Sequence, residues 1–98
     1  MIDQPVKQIT TNTLKVSAKS NPNSVAGAVA AVLRERDSIE VQAVGAAAVN
    51  QAVKSLAIAR SYLKGDGIDF VCVPSFMTIA VGDEERTGIS IALERRKA

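Results

Sequence analysis

Alternating apolar and polar residues mark several stretches of the chain as half-buried strands. In residues 13–18, Leu14 and Val16 fall on one side, and Lys15 and Ser17 fall on the other. A period of two places successive side chains on opposite faces of a sheet. The pattern recurs in residues 39–44, IEVQAV, and in residues 86–94, RTGISIALE. It predicts a sheet with one face on a core and one open face, the outward residues including Lys15, Ser17, Gln42, Ser90 and Ala92.

Apolar residues three and four positions apart predict a first helix from about Ser24 to Arg36. Asn23 or Ser24 is the expected N-cap, because a side-chain oxygen there accepts from free backbone N–H groups. The core stripe of this helix comprises Val25, Val29, Val32 and Leu33.

A second and longer helix is predicted for residues 46–63, AAAVNQAVKSLAIARSYL, which contain neither Gly nor Pro. The run Gly65-Asp66-Gly67 stops it. Arg60 falls on the apolar stripe and Ile58 on the opposite, polar side, and both positions are unexpected for a simple core helix. The stripe comprises Val49, Ala52, Val53, Leu56, Ala59 and Leu63.

The stretch 68–81, IDFVCVPSFMTIAV, predicts a long strand that forms a hairpin with residues 86–94 across a turn at 82–85. Pro74 interrupts it, and because proline cannot donate a ladder hydrogen bond, the strand is expected at a sheet edge or at a bulge. Cys72 lies within the apolar run and is interpreted as a small buried hydrophobe.

The resulting β-α-β-α-β-β order predicts the fold class. Right-handed crossovers place both helices on one side of a four-stranded mixed sheet, which gives an α/β two-layer sandwich. Residues 13–98 are expected to form this single domain, and residues 1–12 a flexible lead-in.

Composition narrows the possible functions. The 98 residues carry a net charge of only +2, which permits nucleic-acid binding without demanding it. There is no histidine, so the commonest general base and metal ligand are absent, and no enzyme, cofactor or metal site is expected. One cysteine, no export signal and no membrane-length apolar run lead us to expect a cytoplasmic protein with no membrane partner and no small-molecule substrate.

Three stretches carry a resemblance to a known family: LKVSAKSNPNSVAGAVAAVLRER, VQAVGAAAVNQAVKSLAIAR and VGDEERTGISIALE. The chain resembles the stage V sporulation protein S family from about Thr13 onward, and that family is similar to the Alba-type nucleic-acid-binding superfamily. The resemblance implies sheet order 1-2-4-3, a role in late spore development, and DNA or RNA as a partner. It also implies a homodimer that pairs through the second helix, and the candidate dimer contacts are Asn50, Lys54, Ile58 and Tyr62.

Basic and polar residues near helix ends and the hairpin are the candidate contacts to nucleic acid. Residues 19–21 precede a helix N-terminus, where N–H groups and the dipole favour anions, although an ordinary capped turn has the same sequence. Arg60 reaches either a phosphate or an acid such as Asp69, Glu94 or one from a partner chain. Arg86 and the basic residues 95–97 form either a binding strip or a solvated end. The candidate contacts are Lys15, Lys19, Ser20, Asn21, Arg60, Arg86 and Arg95.

Two functions remain open at this point. One is a non-enzymatic, homodimeric nucleic-acid-binding protein of sporulation. The other is a protein-interaction adaptor on the same fold, which the acidic hairpin residues Asp83, Glu84 and Glu85 favour because phosphates repel them.

Overall fold

The structure is a computed structural model and describes residues 13–97. Its elements confirm the predicted β-α-β-α-β-β order of an α/β two-layer sandwich. The predicted lead-in, residues 1–12, lies outside the described residues. The elements are β1 (Thr13–Val16), α1 (Pro22–Glu35), β2 (Ser38–Ala43), α2 (Ala46–Lys64), β3 (Ile68–Val81) and β4 (Glu84–Lys97).

The four strands form one mixed sheet in the order β1-β2-β4-β3. The strand β1 is parallel to β2, and β4 is antiparallel to both β2 and β3. This arrangement confirms the sheet order implied by the family resemblance and places Pro74 on an edge strand. In register, Val16 pairs with Ala43, Ala43 with Ile89, and Ile89 with Phe76. The hairpin of β3 and β4 therefore continues as a two-stranded arm beyond the ends of β1 and β2.

The core lies between the sheet and the two helices, which pack against each other. In β2 the inward residues Ile39, Val41 and Ala43 are buried, as the alternation predicted. Leu33 of α1 and Leu63 of α2 are fully buried. Small residues on both helices allow their close approach to the sheet, and they include Ala26, Ala30, Ala48, Ala52 and Ala59.

The start of α1 differs from the sequence prediction. The helix begins at Pro22, and Asn21 is its N-cap, whereas Asn23 and Ser24 were expected. The Asn21 Oδ1 accepts from the backbone N–H groups of Asn23 at 2.8 Å and Ser24 at 3.3 Å. Proline suits the first helical position because its missing N–H has no partner there and its φ is already helical. The two expected caps are therefore donors to the true cap.

The turn between β3 and β4 is shorter than predicted. It consists of Gly82 and Asp83, and pairing resumes between Val81 and Glu84. Gly82 has φ of 62°, while no non-glycine residue between 13 and 97 has a positive φ. This combination is typical of a type II′ hairpin turn, whose twist matches that of the strands. The acidic residues Glu84 and Glu85 consequently belong to β4.

The helix α2 has more than one apolar side, which corrects two predictions. Val53, expected in the core, has 54% of its surface exposed. Ile58, expected on the polar side, is half-buried and packs against the core. It lies two turns after Gln51, whose side-chain amide donates to the Ser20 carbonyl before α1 at 2.9 Å. Ile58 thus lies on the side of α2 that faces α1, and Val53 lies on the side toward the hairpin.

Candidate functional site

One end of the molecule gathers the starts of both helices. The parallel strands β1 and β2 end there, and α1 and α2 begin there. The hydrogen bond from Gln51 to the Ser20 carbonyl ties the turn before α1 to the second turn of α2. Helix N-termini carry partial positive charge and free N–H groups. We call this end of the molecule the N-terminal surface, defined by residues 17–21, Gly45, Ala46 and the arm that projects beside it.

The turn at residues 17–21 is held by its own hydrogen bonds. The Ser20 Oγ accepts from the Ser17 backbone N–H at 2.9 Å, and the Ser20 N–H donates to the Ser17 carbonyl at 3.1 Å. With the Asn21 side chain occupied as the N-cap, these polar groups are already partnered. Lys19 is exposed, and its ammonium forms no ion pair within the described residues. Of the candidates in this turn, only Lys19 offers a free charge.

The arm carries charges of both signs. Arg86 on β4 pairs in register with Ile79 on β3 and is exposed. The tip, which we call the acidic tip, comprises Asp83, Glu84 and Glu85, and these exposed residues form no ion pair within residues 13–97. The arm therefore presents a cation on its flank and carboxylates at its end.

The open face of the sheet is polar along β1 and β2. Glu40 accepts hydrogen bonds from the Ser90 hydroxyl, from the Gln42 amide at 3.1 Å and from the Thr13 hydroxyl at 3.4 Å. The Ser90 hydrogen bond, followed by that of Gln42, lowers the pKa of the Glu40 carboxyl. Lys15 is exposed and pairs with Gln42 in the ladder, so it lies on this face close to the N-terminal surface.

Arg60 and Arg95 lie at the opposite end of the molecule. Two nitrogens of the Arg60 guanidinium donate to the two carboxylate oxygens of Asp69, at 2.8 and 3.0 Å, so the ion-pair alternative for Arg60 is present in the structure. Arg95 donates to the Leu33 carbonyl at 2.9 Å and so satisfies the C-terminal end of α1. The structure thus separates these two arginines from Lys15, Lys19 and Arg86, with which the sequence grouped them.

Asp69 anchors a cluster of cations at that end. Arg96 approaches its carboxylate at 3.5 Å, and the Phe70 backbone N–H donates to it at 2.8 Å. The bidentate Arg60 contact, with the Phe70 N–H, lowers the pKa of Asp69 well below its usual range. Lys64 lines the same depression as Arg60 and Asp69. We call Arg60, Lys64 and Arg96 the basic corner.

Two adjoining depressions, of about 680 and 540 Å³, together form an apolar groove between α2 and the hairpin. Sequence reasoning missed it, because its walls include a residue assigned to the core stripe, Val53, and one interpreted as buried, Cys72. Cys72 is exposed, and partial burial raises the pKa of its thiol. Phe76 is 81% exposed at the arm end of the groove. The apolar groove is lined by Val49, Val53, Leu56, Phe70, Cys72, Pro74, Phe76, Ile89 and Ile91, and Arg60 and Arg96 close one end.

The candidate dimer contacts lie in different surroundings. Asn50 is exposed and lines the arm end of the apolar groove. Lys54 is exposed on α2, and Tyr62 is 44% exposed, with its carbonyl 3.5 Å from an Arg34 donor nitrogen. Ile58 faces α1, as described above. Among these four residues the structure brings only Asn50 to the apolar groove.

No helix within residues 13–97 is both long and apolar enough to cross a membrane. The same residues contain no group of three or more Cys, Asp or Glu side chains placed to hold a metal ion.

Comparison with solved structures shows that the chain has the Alba fold. It is similar to "Alba from Thermoplasma volcanium", with a TM-score of 0.61 and 18% sequence identity over 88% of this chain and 100% of that chain. At that identity the likeness concerns the fold alone. A family model narrows the assignment, because the model described as "Stage V sporulation protein S (SpoVS)" matches residues 12–96. The chain therefore belongs to the stage V sporulation protein S family.

Proposed function

We propose that the protein is a non-enzymatic, cytoplasmic sporulation protein that binds DNA or RNA as a homodimer. The family membership and the Alba fold support this proposal. The observation that carries it is the N-terminal surface, where two helix N-termini, the free charge of Lys19 and the projecting arm lie together. The helix N-termini, Lys19 and Arg86 on the flank of the arm favour a phosphate backbone, whereas the acidic tip of the arm does not.

The charges at the N-terminal surface set the expected strength of binding. Lys19 stands beside the start of α1, Lys15 lies on the adjoining open face, and Arg86 lies on the arm. With so few cations, the protein neutralises few phosphates, so the salt dependence of binding is shallow. We expect micromolar or weaker affinity for short duplexes at physiological salt, and tighter binding in low salt.

Binding measurements on variants with matched charge changes test this proposal. Fluorescently labelled duplex DNA and single-stranded RNA are titrated with the protein across a salt series. Because each cation releases counterions, Lys19→Glu and Arg86→Glu reduce the slope of log K against log salt by about 1 each on duplex DNA. Lys97→Glu changes the net charge equally at the far end and serves as the control. Absence of binding at low salt, or an equal loss in the control, contradicts the proposed surface.

The apolar groove is our proposed contact between the two copies. Exposed, contiguous apolar surface on a small protein marks an interaction site. The strand β3 also has an unpaired edge, since β4 is its only neighbour among the described strands, and such an edge is prone to pairing. A second copy of the chain covers both features at once. This moves the dimer contact from Ile58 to Val53, Cys72 and Phe76.

Sedimentation equilibrium with neighbouring substitutions on α2 tests the dimer. Val53→Glu places a charge in the apolar groove, and we expect the mass to fall to that of a monomer. Lys54→Glu introduces the same side chain at the next position, outside the groove, and we expect the mass to stay dimeric. Because both positions are exposed, neither variant should unfold the domain. A wild-type protein that stays monomeric at a concentration of about 100 µM contradicts the dimer.

The adaptor function is the second candidate, and a specific surface favours it. On the open face, the edge strand β3 exposes Val71, Val73 and Val81, with exposed fractions of 37, 54 and 51%. Apolar side chains of this kind suit a protein partner rather than phosphates. An adaptor that does not contact nucleic acid shows no low-salt binding in the titration described above.

A further inference from the structure

The basic corner carries more positive charge than the carboxylate it binds can neutralise. Two of its cations, Arg60 and Arg96, share one carboxylate, Asp69, and Lys64 lines the same depression without an ion pair among the described residues. The Arg60 and Arg96 side chains remain 65 and 58% exposed, whereas that of Asp69 is only 10% exposed. Asp69 is therefore already enclosed by its partners, and the excess positive charge points to solvent.

The acidic tip, by contrast, carries negative charge that no described cation of the same chain neutralises. Asp83, Glu84 and Glu85 lie next to one another at the exposed turn and have no cationic partner among the described residues. The tip and the basic corner belong to the same hairpin but to its opposite ends, since Asp69 pairs with Arg96 and Ala80 pairs with Glu85. At about 3.3 Å per residue, the span from Asp69 to Ala80 is about 36 Å. The tip of a chain cannot reach its own basic corner.

The apolar groove lies between these two charged ends. Its β3 residues Cys72, Pro74 and Phe76 surround the midpoint of the strand. A two-fold axis that passes beside that midpoint, perpendicular to β3, runs the β3 strands of two copies antiparallel, so that the start of one lies beside the end of the other. Contacts across such an axis occur twice, because the same surface is used by both copies.

We propose that, in the dimer, the acidic tip of each copy docks on the basic corner of the other copy. The inference rests on the proposed dimer through the apolar groove and specifies its orientation. The groove buries the apolar residues, while the charges at its two ends fix the register. An opposite orientation, with parallel β3 strands, would place tip beside tip and corner beside corner, and like charges would then repel.

A second copy fits the basic corner better than a free anion does. The groove that leads to the corner is apolar, so its occupant must present apolar side chains as well as carboxylates. The arm of this chain supplies both, since Phe76 lies on the groove face of β3 and precedes the acidic tip along the hairpin. The tip also has no evident use against nucleic acid, because its charge opposes that of phosphates.

Charge reversal and charge exchange test the docking. Glu85→Lys alone and Lys64→Glu alone each place like charges together at two symmetric contacts. We expect the dimer dissociation constant to rise on the order of tenfold in low salt. The double variant Glu85→Lys/Lys64→Glu restores opposite charges, and we expect it to return to within about twofold of the wild type. The control double variant Glu85→Lys/Lys54→Glu has the same net charge and should stay weak.

A covalent readout complements the equilibrium measurement. In a Cys72→Ser background, Glu85→Cys combined with Lys64→Cys gives oxidised chains whose 64–85 disulfide is intermolecular, because the intrachain distance is too great for a disulfide. We expect a cross-linked dimer on a non-reducing gel. The matched pair Glu85→Cys and Lys54→Cys should give none.

The outcomes separate this inference from the proposed function. If the wild type dimerises but the double variant Glu85→Lys/Lys64→Glu does not recover the wild-type dimer dissociation constant, the dimer is supported and the docking is wrong. If the wild type stays monomeric, the dimer and the docking are both wrong. If Lys64→Glu weakens DNA binding without changing the dimer dissociation constant, the basic corner binds phosphates, and the docking is again wrong.

Discussion

Adding one methyl group at Gly88 tests how tightly the sheet is packed where the arm begins. Gly88 lies on β4 beside the end of β2 and is buried. A Cβ built there lies 2.9 Å from the Ala43 carbonyl oxygen, 2.9 Å from Val44 Cγ2 and 3.1 Å from Met77 Cε. The methionine end is flexible and can move, but the carbonyl belongs to the backbone of a paired strand. Gly88→Ala therefore forces β2 and β4 apart or distorts their ladder.

The expected cost follows from that geometry. Overpacking by a methyl group in a well-packed region costs about 1–3 kcal/mol, and a backbone contact favours the upper half of that range. Alanine also gains about 0.5–1 kcal/mol by reducing the entropy of the unfolded chain. We therefore expect a net loss of about 1–2.5 kcal/mol, or a fall in Tm of about 4–20 °C for a domain of this size.

Gly27 provides a matched control in the same protein. It lies inside α1, and a Cβ built there meets no atom within 4 Å. Gly27→Ala should raise stability by about 0.5–1 kcal/mol, because alanine is the better helix former. Both variants are melted by circular dichroism at one protein concentration, since oligomerisation makes Tm concentration-dependent. A Gly88→Ala protein as stable as the wild type would refute the close approach.

Two further predictions concern a helix cap and an ion pair. Asn21→Ala removes the acceptor for the N–H groups of Asn23 and Ser24, and urea titration should show a loss of about 1 kcal/mol. Since Arg60 lowers the folded-state pKa of Asp69, the unfolded chain binds the proton more tightly, and stability falls as pH drops below about 4. Asp69→Asn should be less stable at neutral pH and lack that part of the acid dependence, and thermal melts between about pH 2 and 7 check this.

Much of the fold is encoded in local patterns that need no tertiary information. The alternation in β2 and β4 correctly assigned the inward residues Ile39, Val41, Ile91 and Leu93. Pro74 correctly indicated an edge strand, because a central strand needs the N–H that proline lacks. The error at the start of α1 arose because Asn21, Asn23 and Ser24 are all good caps and lie within four residues of one another. Only the position of Pro22 distinguishes them, since proline favours the first helical turn.

The apolar groove was less accessible to sequence reasoning. A helical wheel has one axis of polarity, yet α2 meets the sheet, α1 and the hairpin groove on different sides. Val53 was therefore predicted to lie in the core and Ile58 on the surface, which is the reverse of their positions in the structure. The strand β3 is apolar at nearly every position from Phe70 to Val81, so it has no alternation from which its buried face could be predicted. Such a run fits a strand buried on both faces, but as an edge strand it exposes both of them.

The sheet order has a consequence for synthesis of the protein. The strand β4 is the last of the described elements to leave the ribosome, yet it lies between β2 and β3. Until β4 emerges, the β1-β2 pair and β3 share no neighbour, so the four-stranded sheet cannot form before β4 has been synthesised. During that interval the apolar strand β3 has no paired strand, and we expect chaperones that bind extended apolar segments to recognise it. The interval is short once β4 has emerged, because β3 and β4 are adjacent in sequence and their hairpin forms rapidly across a two-residue turn.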